Sequence, residues 1–83
     1  MKAQDILPDG QNQLEIDGIV IRKGSVGAFL ANARVWCDAA ADSARRADAE
    51  ADILQALPAL RQLRLFEVLS VRDEALRRLV EAH

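Results

Sequence analysis

Six consecutive residues, Arg22-Lys23-Gly24-Ser25-Val26-Gly27, come nearest to a chemical site in this chain. Two cations precede a glycine. A helix starting at the serine would present unpaired amides and the positive end of its dipole. In such a grouping Arg22 and Lys23 supply charge, while Ser25, Val26 and Gly27 supply first-turn donors for a phosphate or carboxylate. The loop length and Gly-Lys-Ser/Thr ending of a P-loop are missing, so nucleotide hydrolysis does not follow. The plainer explanation outweighs the site: Gly24 turns the chain and Ser25 caps the helix.

Other chemistry is poorly provisioned. His83 is the only histidine and is the last residue, where chains fray. Cys37 falls at helical spacing with Leu30 and Ala33, which predicts a buried small hydrophobe rather than a reactive thiol. One cysteine and one terminal histidine cannot close a zinc tetrad. Asp38, Asp42, Asp48, Glu50 and Asp52 spread around a helix with Arg45 and Arg46 among them, which reads as solvated charge. Trp36 and Phe29 share one face and are expected in the core. Arg61, Arg64, Arg72, Arg77 and Arg78 read as solvated positions paired with nearby acids. The chain is expected to be no enzyme, with no catalytic residue, cofactor or metal.

Composition narrows the partners. The chain has 83 residues, a net charge of −2 and 51% hydrophobic residues. Room exists for one small domain burying roughly 60% of its unfolded surface. The acidic balance argues against nucleic acid and anionic lipid, which favour a surplus of lysine and arginine. A single cysteine excludes an internal disulfide framework and suits a reducing cytoplasm. No apolar run resembles a signal peptide or approaches the ~20 residues of a membrane span.

The elements that must position these residues begin with a hairpin. Residues 1–12, with Pro8 and Gly10 among Asp, Gln and Asn, read as a flexible arm before a single domain over 13–83. Asp17-Gly18 between aliphatic runs is a strong two-residue turn signal. It sets Ile16 against Ile19, Glu15 against Val20, Leu14 against Ile21 and Gln13 against Arg22. Leu14, Ile16, Ile19 and Ile21 then form one aliphatic patch, since alternate and opposed residues share a face. A lone hairpin is marginal in water, so this one must cover helices.

After the hairpin, Val26, Phe29, Leu30, Ala33, Trp36, Cys37 and Ala40 form one amphipathic face, the expected partner for the hairpin. An alanine seam continues its spacing through Ala40, Ala44, Ala47 and Ala51 to Leu54. Two readings compete. A single helix from Val26 to Leu57 would run about 48 Å, longer than a domain of this size is wide. A break at Asp42-Ser43, with Ser43 as cap, is favoured. Pro58 is expected to kink the second helix or start a fresh turn, and Arg64 to end it. Residues 65–71 suit a third strand or a buried turn. Ser70 and Asp73 then suggest a cap for a final helix burying Leu76, Leu79 and Val80. The expected fold is α+β, a two-stranded hairpin on a bundle of about three helices.

Gly24-Ser25-Val26-Gly27-Ala28-Phe29-Leu30-Ala31-Asn32-Ala33, with Leu57-Pro58-Ala59-Leu60 and Leu65-Phe66-Glu67, resembles a small bacterial family of unknown function. Its members pair a short hairpin with a Gly-Ser/Thr-Val helix start, a mid-helix asparagine and a Pro-kinked second helix. The resemblance covers residues 14–72 and implies a fold, with no activity, cofactor or site residue. The alanine-rich stretch 38–52 departs from it, being longer than the family's usual connection.

Together these features predict a small cytoplasmic protein-interaction module. Its expected partner is a protein, including a second copy docked along Ala40, Ala44, Ala47 and Ala51. The alternative is a binder of a small anionic ligand at Gly24–Gly27.

Overall fold

Asp17 and Gly18 reverse the chain with φ of 50° and 81°, the left-handed pair that a two-residue hairpin turn requires. The computed structural model describes residues 13–22 and 24–83, the side chain of Leu14 excepted. The arm expected over residues 1–12 and the Lys23 of the anion site therefore lie outside the described residues. Strands β1 (Gln13–Ile16) and β2 (Ile19–Arg22) pair antiparallel in the expected register, from Gln13 opposite Arg22 to Ile16 opposite Ile19. Ile21 is buried, Ile16 and Ile19 are half-buried, and Glu15 and Val20 face outward.

Four helices follow among the described residues: α1 (Ser25–Cys37), α2 (Ser43–Gln62), the single turn α3 (Leu65–Val68) and α4 (Glu74–Ala82). The fold is α+β, a hairpin on a small helical bundle. Its core is Phe29 from α1, Ile53, Leu57 and Leu60 from α2, and Leu76 and Val80 from α4. Phe66 of α3 meets Phe29 edge-on, with ring centroids 5.9 Å apart.

Several local expectations change. Ser25 is the first residue of α1 rather than its cap. Gly24 takes the cap position at φ 87°, and no side chain caps the amides there. The Ser25 hydroxyl instead donates to the Arg22 carbonyl at 2.6 Å and accepts from the Arg22 N–H at 3.2 Å. It fastens the helix start to the strand end.

The long helix is broken, as favoured, but the cap is Asp42, whose carboxylate accepts the Arg45 N–H at 2.8 Å. Carboxylates accept amides more strongly than hydroxyls do, and the acid lies one residue earlier. Asp38 closes the intervening turn through its side chain to the Ala40 N–H and its carbonyl to the Ala41 N–H. Asp73 likewise displaces Ser70 as the cap of α4, accepting the Leu76 N–H at 2.9 Å.

The hairpin lies chiefly on α2, not on α1. Gln62 Nε2 donates to Asp17 Oδ2 at 3.0 Å, tying the end of α2 to the turn. α2 continues through Pro58 without ending, and terminates where Arg64 enters the left-handed region at φ 61°. Residues 65–71 form neither a third strand nor a buried turn: Leu65–Val68 coil once and the chain then runs on into α4.

Candidate functional site

Two hollows flank α1. The first, about 550 Å³ and open to solvent, lies between β2, the start of α1 and α2. Arg22, Gly24, Ser25, Asp52 and Gln55 contribute its polar lining. It takes in part of the anticipated anion site, since Arg22 and Ser25 both reach it. Val26 packs against the core instead, and Gly27 is exposed outside the lining. The Ser25 hydroxyl is engaged with the Arg22 main chain. Asp52 sets a carboxylate in the same hollow, and Arg22 has no ion-pair partner among the described residues.

The second hollow, about 290 Å³, is apolar. Val26, Phe29, Leu30 and Ala33 of α1 form one wall, and Phe66, Leu69 and Val71 form the other. Within that lining Leu30 is 55% exposed and Leu69 59%, so the hollow opens onto bare aliphatic side chains. Burying one such side chain is worth about 1.5–3 kcal/mol, which makes two of them beside one hollow a costly arrangement for an isolated molecule. This groove was missed from the sequence. The signal was the density of Leu65, Phe66, Val68, Leu69 and Val71, which is too many apolar residues for one short segment to bury.

Cys37 is exposed, contrary to its expected burial, because α1 ends there and its core face is centred on Phe29 and Ala33. Desolvation by neighbouring protein atoms and the Asp73 carboxylate raise its pKa above the ordinary thiol value, against an opposing pull from Arg46. Such a thiol is a weak nucleophile near neutral pH.

Trp36 is a strut. Its indole N–H donates to Glu50 Oε1 at 3.1 Å, Arg46 Nε donates to its carbonyl at 3.1 Å, and the Arg46 guanidinium lies 5.7 Å from its ring centroid. Arg61 is not a free surface charge: it donates to the carbonyls of Val80 and His83 at 2.8 and 2.7 Å, closing the last turn of α4.

Among the described residues no three His, Cys, Asp or Glu side chains gather as a metal group, and no helix is long and apolar enough to cross a membrane. The seam alanines are not brought together with the core. Ala40 lies in the turn before α2, and Ala44, Ala47 and Ala51 are exposed along it. The chain matches no family model, no curated protein and no solved structure.

Proposed function

We propose that this chain is a non-enzymatic protein-interaction module whose partner docks in the apolar groove between α1 and the α3–α4 connection. One observation carries the reading: a 290 Å³ apolar hollow whose lining includes Leu30 and Leu69, both more than half exposed. Contiguous exposed apolar surface rimmed by polar groups is a common mark of a docking site, whereas apolar residues exposed singly are not. The exposed free thiol of Cys37 suits work in the reducing interior of a cell.

A photo-crosslinking residue at position 69 tests the proposal in cells. A discrete adduct is expected, lost in Leu30→Lys and missing when the crosslinker stands at position 31 on α1. Equal adducts from both positions overturn the groove as the docking site.

A second reading, a small-anion binder at the start of α1, draws on the 550 Å³ hollow lined by Arg22, Gly24 and Ser25. Asp52 in that lining works against it. Selective phosphate-induced shifts of the Ser25–Ala28 amides, weakened by Lys23→Ala, would support it. Shifts no larger there than elsewhere would end it.

A further inference from the structure

The stretch joining α3 to α4 offers more than apolar side chains. The chain leaves α3 at Leu69 in extended conformation, φ −118° and ψ 146°. It reaches α4 at Asp73, extended again, φ −70° and ψ 124°. Between them Ser70, Val71 and Arg72 belong to no helix and no strand. The Leu69 N–H donates to the Leu65 carbonyl. The Leu69 carbonyl and both main-chain groups of Ser70, Val71 and Arg72 make no hydrogen bond with any described residue.

Two hollows share this stretch as a wall. One is the 290 Å³ groove against α1; the other, about 100 Å³, lies against α4 beside Arg77, Val80 and Glu81. A row of unanswered main-chain donors and acceptors with an apolar hollow to either side is the arrangement a sheet edge offers to an incoming strand.

We propose that Leu69–Arg72 is an open edge to which an extended segment of another protein adds as a strand, an inference that rests on the groove as docking surface. A helical partner has its own main chain saturated and would leave these groups unanswered. An extended partner answers the groups of alternate residues along the side it occupies. Its successive side chains point to opposite faces, so two adjacent aliphatic residues send one side chain into each hollow. The volumes set their order of size: a leucine or larger residue on the α1 side, and a small residue such as valine on the α4 side. Both signs of charge stand at the rims, Arg72 with Asp73 and Arg77 with Glu81, so shape and main-chain pairing select the partner rather than net charge.

The test uses the full chain, 15N-labelled, titrated with a blocked hexapeptide whose central leucine-valine pair is flanked by threonines. Saturable shifts are expected at the Ser70, Val71 and Arg72 amides and along the groove wall at Leu30 and Phe66. Hydrogen exchange at Ser70–Arg72 should slow in the complex. The same peptide N-methylated at its two central residues keeps the side chains and loses main-chain donors, so it should bind at least tenfold more weakly. Equal binding of the methylated peptide overturns strand addition while leaving the groove as a docking surface. No response at these amides up to millimolar peptide also overturns it, and the crosslink at position 69 then judges the groove alone. Concentration-dependent shifts of the same amides without peptide mean that a second copy takes the edge, which overturns a foreign partner.

Discussion

Side-chain oxygens of Asp38, Asp42 and Asp73 decide where helices start and how the chain turns between them, although the sequence offers Asp38 and Asp42 as solvated charge and Asp73 as the partner of a Ser70 cap. Asp42→Ala removes the acceptor for the Arg45 N–H and should cost about 1 kcal/mol, read from the midpoint of denaturant unfolding. Ser43→Ala, one residue on, should cost almost nothing, because Ser43 already lies inside α2. Equal losses would return the cap to the serine. Cys37 gives a second test at this scale. Its raised pKa means the folded chain holds the thiol proton more tightly than the unfolded chain. The associated stability is present below the unfolded pKa and falls as pH rises through the folded one. Alkylation of native Cys37 should therefore titrate above a free cysteine thiol, and Cys37→Ser should flatten the alkaline loss of stability. Alkylation titrating at or below the free value would contradict the desolvation and Asp73 effects.

Among the elements, the hairpin was the most legible, because Asp17-Gly18 fixes both turn and register by backbone sterics alone. Ile21, rather than Ile19, is its fully buried contact. Ile21→Asp should cost about 3 kcal/mol or more, enough to unfold a large share of a domain this small, while Val20→Asp on the open face should be mild. Thermal unfolding of the two variants compares them, and equal damage would mean that both faces are covered. Arg64 is the converse case. A non-glycine residue at φ 61° ends α2, so Arg64→Gly should raise stability by about 0.5–1 kcal/mol in the same assay. A loss would show that the 3.8 Å contact with Glu67 outweighs the backbone strain. The phase of α2 was harder to read. Carrying the spacing of α1 through the alanines put Ala44, Ala47 and Ala51 inward. Once Asp38 and Asp42 break the helix, Ile53, Leu57 and Leu60 set a new rotation, and that rotation buries Ala49. Periodicity carries no memory across a turn. The groove was illegible for a related reason: hydrophobicity marks residues 65–71 as apolar without saying which of them find cover.

At the scale of the whole molecule, the groove and the alanine stripe are the two surfaces proposed for a protein partner. Self-association along the alanines remains a proposal, and its energetics are thin. Ala40 lies outside α2, so the stripe that could face a second copy is Ala44, Ala47 and Ala51. Three methyl groups from each copy, at about 0.8 kcal/mol apiece, come to about 5 kcal/mol of gross burial. Association costs roughly 4–15 kcal/mol in lost freedom before any side chain is ordered. At best about 1 kcal/mol is left, against the roughly 4 kcal/mol of a millimolar dimer, so a dimer built there needs contacts beyond the alanines to form even near millimolar concentration; a two-fold axis would be its simplest symmetry. Sedimentation should find monomer at micromolar concentration and a rising mass only in concentrated samples. Ala44→Glu with Ala47→Glu should abolish that rise without loss of helicity. Leu69→Asp, on the groove face, should leave it intact while abolishing the crosslink at a neighbouring groove position. A mass that stays monomeric at millimolar concentration ends the self-association proposal, and Ala44, Ala47 and Ala51 are then plain helix surface, chosen for helix propensity rather than contact.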